Sequence, residues 1–220
     1  MASLTEPHWE CISPILRDVF LEVGKHAFAH RFYLAGGTAL GLQLGHRLSM
    51  DLDFFSDSDE LEETSRREII TALQQKFILD IDEGGLASLH LKVEGEVVGF
   101  MGYSYHLLAP TQELEGVQLA SLLDIGLMKL DAVAGRGMRK DFIDLYFIAQ
   151  QLSLDELIAH GQQKYPDNRD FGMMSLTALT DFIIADMGSE IQTTPAIRWN
   201  DVRNFFKKEA RRIGQQWFSP

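Results

Sequence analysis

Apolar residues recur at two different spacings along the chain, and the change between them divides it into two parts. From residue 32 to residue 103, short apolar runs with strand-like alternation predominate, with two stretches of helical spacing between them. After Pro110 the apolar residues recur every three or four positions, which is the spacing of helices with one buried face. The pattern predicts an α+β core over 1–110 and a helical half over 111–220 that packs on this core.

Individual elements follow from the same periodicities and from the turn residues between them. Strands are predicted at 32–35, 51–55, 77–82, 88–93 and 97–103. Helices are predicted at 8–30, 38–44, 64–75, 119–134, 139–151, 153–164, 173–187 and 201–217. Gly84-Gly85 and Glu94–Glu96 are predicted turns, and the second of them makes the last two strands an antiparallel hairpin.

The segment Phe32–Phe55 carries the clearest sign of chemistry, because a glycine pair lies where its first strand gives way to a helix. Glycine permits a sharp turn and leaves the backbone N–H groups of Gly36 and Gly37 accessible. Together with the positive end of the following helix, these groups suit a triphosphate. A simple turn is the alternative interpretation, and it is the more common one for a glycine pair taken alone.

Two aspartates, Asp51 and Asp53, lie on the second strand of this segment with one residue between them. Residues two apart on a strand project to the same side, so these carboxylates share one face with Ser49. Neighbouring carboxylates repel each other unless a divalent cation lies between them, and hard oxygen ligands suit Mg²⁺. Either aspartate alone is also compatible with a cap or a solvated strand end, but the pair beside a glycine turn favours a metal site.

A second group of charged residues occurs in the helical half. Asp141 and Asp144 are three apart on a predicted helix and therefore share one of its faces. Lys129 lies on the preceding helix, and the turn at Gly135–Gly137 allows that helix to return alongside. The residues alone leave two interpretations open, a structural salt bridge and a functional cluster.

Composition narrows the classes of protein to which the chain can belong. The chain has 220 residues, of which 45% are hydrophobic and 24% charged, and its net charge is −12. Such an acidic surface does not favour non-specific nucleic-acid binding, although Lys207–Arg212 forms a basic patch, either a solvated helix face or a nucleic-acid contact. No apolar run reaches the ~20 residues of a membrane span and no signal peptide is visible. The single Cys11 excludes an internal disulfide, so a cytoplasmic protein is expected.

The segment Gly36–Asp53, with its Gly-Gly-Thr start and its Arg-x-Ser-x-Asp-x-Asp end, resembles the signature of polymerase-beta-type nucleotidyltransferases. Within that superfamily the chain resembles most the AbiEii/AbiGii toxins, the nucleotidyltransferase toxins of type IV toxin–antitoxin and abortive-infection systems. Those toxins also carry a lysine and, further on, a basic residue followed by Asp-x-x-Asp-Leu. Lys129 and Lys140–Leu145 match that arrangement in order and approximate spacing. The resemblance covers roughly residues 32–148.

The resemblance implies a nucleotidyltransferase fold and transfer of a nucleoside monophosphate from an NTP to an acceptor, with Mg²⁺ as the cofactor. It also implies that the acceptor is the 3′ end of a tRNA or a protein hydroxyl, and that an antitoxin protein is a partner. The implied nucleotide-binding residues are Gly36, Gly37, Thr38, Arg47 and Ser49. The implied catalytic residues are Asp51 and Asp53, which are also the metal ligands, with Lys129, Asp141 and Asp144.

The sequence departs from the superfamily pattern at one place. Many polymerase-beta-type enzymes have a third carboxylate on a neighbouring strand, whereas the corresponding strand here, Val97–Tyr103, contains no acid. The third ligand is therefore missing, or Asp144 replaces it. A non-catalytic member that binds a nucleotide or a partner is the second hypothesis, and a phosphotransferase of the aminoglycoside-modifying or antitoxin sort is the third. His90 and His106 follow strand patterns and are predicted to be surface positions.

Overall fold

The computed structural model describes residues 2–82 and 85–218, so Gly84 of the predicted Gly84-Gly85 turn lies outside the described residues. The chain forms two compact units that divide between Ser121 and Leu122. This division differs from the boundary predicted at Pro110, because two strands of 3 residues each follow that proline and join the sheet of the first unit. Strands this short hold too few residues for an alternating pattern to be recognised.

The first unit is built on one sheet, which has eight strands among the described residues. Its strands are β1 (Ala2–Ser3), β2 (Tyr33–Leu34), β3 (Asp51–Ser56), β4 (Leu79–Asp82), β5 (Ser88–Val93), β6 (Glu96–Gly102), β7 (Gln112–Leu114) and β8 (Val117–Leu119). They lie in the order β1-β7-β8-β2-β3-β6-β5-β4. β3 runs parallel to β6 and antiparallel to β2, while β5 and β6 form the predicted hairpin. The predicted α+β class and its mixed sheet are therefore confirmed.

Three α-helices accompany the sheet in the described part of the first unit: α1 (Pro14–Val23), α2 (Gly36–Leu44) and α3 (Glu63–Gln74). The single helix predicted over 8–30 is wrong in extent, because a capping serine starts α1 later. The Ser13 hydroxyl accepts a hydrogen bond from the Leu16 amide at 3.1 Å. Short 3-10 turns at Trp9–Cys11 and Ala27–Arg31 take up the outer parts of the predicted range.

The buried face of the sheet sets the register of β3. Leu52 and Phe54 are almost fully buried, and the Phe54 ring stacks on Phe100 with 4.8 Å between ring centres. Burial of each such side chain contributes roughly 1.5–3 kcal/mol. Because strand neighbours point to opposite sides, Asp51 and Asp53 are directed to the other face, where both are half-buried. A slip of one residue would bury these carboxylates and expose the apolar side chains.

The regular structure of the second unit is helical, as predicted. Its helices among the described residues are α4 (Leu122–Gly135), α5 (Arg139–Ile148), α6 (Leu154–Lys164), α7 (Phe171–Ala178), α8 (Ile183–Met187) and α9 (Trp199–Phe218). The helix predicted over 173–187 is in fact two helices, because the Asp181 carboxylate accepts the Ile183 amide at 3.1 Å and starts α8 anew. No helix in the described ranges is both long enough and apolar enough to cross a membrane.

Candidate active site

The turn that leads from β2 into α2 is tied to β3 by two hydrogen bonds. The residue before the helix, Ala35, donates its amide to the carbonyl oxygen of Asp53 at 3.1 Å. The Thr38 hydroxyl donates to the carbonyl oxygen of Asp51. Since both bonds end on the Asp-x-Asp segment, they hold the first turn of α2 beside the two aspartates.

The glycine pair lies in close contact with polar side chains of the same region. Gly36 has a φ of +69°, in the left-handed region, and a β-carbon added there would lie 3.3 Å from Asp53 Oδ2. A β-carbon at Gly37 would overlap the Arg47 guanidinium and lie 3.1 Å from Ser49 Oγ. Larger residues would displace these groups. The structure therefore brings the glycine pair, Arg47, Ser49 and Asp53 together at one place in the first unit.

Asp51 and Asp53 project from the same face of β3, as the alternation predicted. The Ser49 hydroxyl donates to Asp51 Oδ1 at 3.2 Å, and the Ser49 amide is held by the Cys11 carbonyl oxygen at 2.8 Å. The Asp53 carboxylate lies beside the N-terminal end of α2, where the helix dipole favours negative charge. Both carboxylates are thus half-buried, and that of Asp53 lies next to the first residues of a helix.

This set of oxygens suits a hard divalent cation. Mg²⁺ is usually bound by one or two protein carboxylates and completes its coordination with water and phosphate oxygens. Asp51 and Asp53 supply two carboxylates, and the first amides of α2 have no partner within the helix. Across residues 2–82 and 85–218, no group of three His, Cys, Asp or Glu side chains could hold a metal ion by itself. Water or phosphate oxygens would complete the shell of a cation held by the two aspartates.

Three of the residues predicted to bind nucleotide are buried and serve the local structure. Thr38 and Ser49 both hold Asp51 through their hydroxyl groups, Thr38 at its carbonyl oxygen and Ser49 at its carboxylate. Arg47 is 9% exposed, and its Nη1 donates to the Leu48 carbonyl oxygen at 2.8 Å. These side chains therefore order the glycine turn and Asp51 before any ligand is considered.

The strand beside β3 places no acid next to the two aspartates. In the register between β3 and β6, Asp51 is opposite Val97 and Asp53 is opposite Gly99. The register agrees with the absence of a strand carboxylate from the sequence. A β-carbon at Gly99 would lie 3.4 Å from Asp53 Oδ1, yet the sequence analysis assigned this residue no role. A glycine inside a strand often marks the close approach of another group, which is the signal that could have identified it.

The second group of charged residues forms a buried network inside the second unit. Lys129 Nζ lies 2.7 Å from Asp144 Oδ2 and 3.2 Å from Asp141 Oδ1, so the predicted pairing of α4 with α5 is confirmed. Arg136 makes two hydrogen bonds of 2.8 Å to the Asp141 carboxylate. Burial by itself raises the pKa of Asp141, but the Arg136 hydrogen bonds and the Lys129 charge outweigh it and lower that pKa. Both carboxylates are 0% exposed, which requires such compensation.

A further buried ion pair in the same unit was not predicted. Lys164 Nζ donates to Asp124 Oδ1 at 2.9 Å, and both side chains are fully buried. The two residues are far apart in sequence and belong to α6 and α4. No spacing rule relates them, so only the packing of the helices reveals the pair.

A mixed sheet with flanking helices, whose Asp-x-Asp strand lies beside a glycine turn into a helix, is the arrangement of the nucleotidyltransferase fold. The sequence profile of the family described as "Nucleotidyl transferase AbiEii toxin, Type IV TA system" matches residues 19–217. The chain therefore belongs to the AbiEii nucleotidyl transferase toxin family. This confirms the family that the two motifs of the sequence resemble.

Individual proteins are similar to this chain in sequence or in fold. The chain is 30% identical over 201 residues to "Uncharacterized protein aq_aa25" of Aquifex aeolicus (strain VF5), covering 89% of this chain and 94% of that protein. Its fold is similar to MenT4, the nucleotidyltransferase toxin Rv2826c of Mycobacterium tuberculosis H37Rv, with a TM-score of 0.60, 16% identity and coverage of 89% and 83%. It is also similar to JHP933 from Helicobacter pylori, with a TM-score of 0.54, 18% identity and coverage of 92% and 91%. At these identities the structural likeness concerns the fold.

Proposed function

We propose that this protein transfers a nucleoside monophosphate from an NTP to a hydroxyl group and releases pyrophosphate. In this reaction an acceptor oxygen forms a bond to the α-phosphorus while the bond from that phosphorus to the bridging oxygen of the β-phosphate breaks. The observation that carries the proposal is the contact between the Gly36 turn and the Asp53 carboxylate. It combines the amide donors that suit phosphates with the carboxylates that suit Mg²⁺.

Each part of this region has a role in the proposal. The first amides of α2, at Gly36, Gly37 and Thr38, bind the triphosphate oxygens. Arg47 and Ser49 keep the turn and Asp51 in position and add polar contacts to the nucleotide. Asp51 and Asp53 hold Mg²⁺, whose chemistry at this site is to neutralise charge on the phosphates and the attacking oxygen.

The second charged cluster enters the proposal through the family resemblance. The resemblance implies a role for Lys129 as a catalytic cation, and Asp141 and Asp144 would set the position of its ammonium group. The distances within the cluster support the positioning part, since the ammonium is held between the two carboxylates. As this network also stabilises the helices, its test has to separate activity from stability.

The acceptor and the partner are proposed at the level of class. The acceptor is the 3′ end of a tRNA or a protein hydroxyl, the donor is an NTP, and the reaction takes place in the cytoplasm. An antitoxin protein would limit the activity in the cell. The family supports the nucleotide donor and the antitoxin partner, since it is described as the nucleotidyl transferase toxin of a type IV toxin–antitoxin system.

A transfer assay with matched variants tests the proposal. NTPs labelled at the α-phosphate are incubated with the protein, Mg²⁺ and either total cellular RNA or total cell protein. We expect labelling by the wild type and a loss on the order of 100-fold in Asp51→Asn and Asp53→Asn. Asp80→Asn is the control, because Asp80 is an exposed acid on β4 of the same sheet. Equal labelling by Asp53→Asn and the control would remove the aspartates from the mechanism.

A non-catalytic nucleotide-binding protein is the second candidate, and the strand without a third carboxylate favours it. In that case calorimetry would detect NTP and Mg²⁺ binding that depends on Asp51 and Asp53, while no acceptor would be labelled. A phosphotransferase is the third candidate. Mass spectrometry of the product separates it from a nucleotidyltransferase, because it would add a phosphate and not a nucleotide.

A further inference from the structure

Three residues form one row across the face of the sheet that carries Asp51 and Asp53, with Gly99 buried and its two neighbours half-buried. The register pairs Asp53 of β3 with Gly99 of β6, and Gly99 with His90 of β5. All three project to the face opposite the buried Phe54 and Phe100. His90 is half-buried, so it differs from the surface position that the sequence analysis predicted.

The missing side chain of Gly99 leaves a gap in this row. The point where its β-carbon would lie is 3.4 Å from Asp53 Oδ1 and 3.5 Å from His90 Nδ1. Met101 Cε is 3.4 Å from the same point and closes one side. A carboxylate and an imidazole nitrogen therefore face one small space from opposite sides. A gap with polar groups on both sides accommodates a small hydroxyl-bearing group better than it accommodates an apolar one.

The in-line geometry of the proposed reaction indicates which of the two substrates, the NTP or the acceptor, would lie in this gap. In the order of the strands, the glycine turn after β2 lies on one side of β3, and β6 and β5 lie on the other. The triphosphate is proposed to bind at the glycine turn, so the pyrophosphate leaves on that side. Attacking and leaving oxygens are roughly in line at phosphorus. The acceptor oxygen then approaches from the side of β6 and β5, where Gly99 and His90 lie.

We propose that the gap above Gly99 is the subsite for the acceptor hydroxyl and that His90 is an acceptor-binding residue. This inference rests on the proposed function. A neutral imidazole carries one N–H donor and one nitrogen acceptor, so His90 can form a hydrogen bond to a hydroxyl in either direction. The bond orients the hydroxyl oxygen toward the α-phosphorus beside Asp53. The absence of an acid opposite Asp53 on β6 then has a role. An acidic side chain at position 99 would fill the space for the acceptor.

Gly99→Ala tests the gap with little disturbance of the fold. Its added methyl group would lie at ordinary contact distance from Asp53 and His90, and Gly99 does not have the positive φ that alanine avoids. We expect NTP and Mg²⁺ binding in calorimetry to remain within about twofold of wild type. We expect the acceptor concentration for half-maximal labelling, measured with total RNA and with total protein, to rise about tenfold or more. Gly135→Ala is the control, because no atom lies within 4 Å of that added methyl group.

Substitutions of His90 test the hydrogen bond itself. We expect His90→Ala to raise the half-maximal acceptor concentration while leaving the half-maximal NTP concentration unchanged, and His90→Asn to restore part of the loss. His106→Ala is the control, because His106 is a histidine of the same unit whose side chain is 82% exposed and bonded to Asp57. Circular dichroism melting of each variant checks that the fold is retained.

The outcomes separate this inference from the proposed function. If the wild type labels neither RNA nor protein, the proposed function fails. If the wild type labels an acceptor and His90→Ala behaves like His106→Ala, the inference is overturned while the proposed function stands. The inference is also overturned if Gly99→Ala or His90→Ala changes the half-maximal NTP concentration as much as the half-maximal acceptor concentration. If Gly99→Ala has a lower melting temperature than the wild type, the comparison of His90→Ala with His106→Ala decides the question alone.

Discussion

The two groups of aspartates in this protein have the same chemistry but opposite environments. Asp51 and Asp53 are half-buried on one face of a strand, and Asp53 lies beside the N-terminus of a helix. Asp141 and Asp144 are fully buried and lie against Lys129, with Arg136 on Asp141. Half-buried carboxylates of the first kind lie where a cation and phosphates can reach them. Carboxylates of the second kind are already neutralised, so their removal is felt first by the fold.

The comparison teaches that an acidic motif does not reveal its role by spacing alone. In sequence, Asp-x-Asp on a strand and Asp-x-x-Asp on a helix are equally regular patterns. Their environments separate them, because burial of a charge requires a partner and partial exposure does not. The most informative experiments therefore change one charge in each environment and measure activity and stability together.

The largest effect is expected for loss of a buried lysine. Lys129→Met leaves two carboxylates buried without their ammonium partner, which we expect to lower the free energy of unfolding by roughly 3–5 kcal/mol. Lys164→Met removes the ammonium from Asp124 in the same unit and should cost a similar amount, so it serves as the matched control. Urea unfolding measures both.

Nucleotide transfer should distinguish Lys129 from Lys164. At a temperature where both variants are folded, Lys129→Met should lose nucleotide transfer while Lys164→Met retains it. Equal activity in the two variants would make the Lys129 network purely structural and would sharpen the contrast between the two environments.

A smaller effect is expected at Asp51 and Asp53, and it should fall on activity more than on stability. Asp53→Asn removes one negative charge beside Asp51 and should reduce transfer on the order of 100-fold, or about 3 kcal/mol in activation free energy. Its melting temperature should change less than that of Asp144→Asn, because Asp53 is half-buried and Asp144 is fully buried. Asp144→Asn should instead lower the melting temperature. A variant Asp53→Asn that unfolds as readily as Asp144→Asn would abolish the distinction between the two environments.

The glycine turn should show an intermediate effect on both properties. Gly36→Ala forces a left-handed residue to carry a β-carbon, which costs roughly 1–2 kcal/mol, and it places a methyl group 3.3 Å from the Asp53 carboxylate. We expect reduced stability in urea unfolding and weaker NTP binding in calorimetry. Gly135→Ala, inside α4 and in open space, should be neutral or slightly stabilising. Unchanged NTP binding in Gly36→Ala would argue against the amides of this turn as phosphate ligands.

The smallest effect is expected from pH. The pKa of Asp141 is lower in the folded protein than in the unfolded chain, where it is about 4. Its contribution to stability is therefore complete above about pH 4 and is lost as the pH falls through the folded value. Urea unfolding at pH 7, 4 and 3 should show a steeper loss for the wild type than for Asp141→Asn. Parallel losses would mean that other acids control the acid sensitivity.

Much of the fold could be predicted because its signals are local. The alternation of Leu52 and Phe54 with the two aspartates defines a half-buried strand, and the glycine pair marks the start of α2. Ser153 starts α6 at the predicted position, and its hydroxyl accepts the Glu156 amide at 3.2 Å, the spacing of a capping residue. Errors arose where a local signal was misjudged, as at 8–30, where the cap at Ser13 interrupts a continuous apolar pattern.

The sequence by itself determined the family, the α+β class, and the face of β3 on which the two aspartates lie, because periods of two and 3.6 residues and turn chemistry act over a few neighbours. Only the tertiary structure decided that β7 and β8 join the first unit, that Lys164 meets Asp124, and that Gly99 opens a gap between Asp53 and His90. Strand pairing and helix packing join residues far apart in the chain. Such contacts depend on how whole elements fit together, and the spacing of residues within any one element carries no record of them.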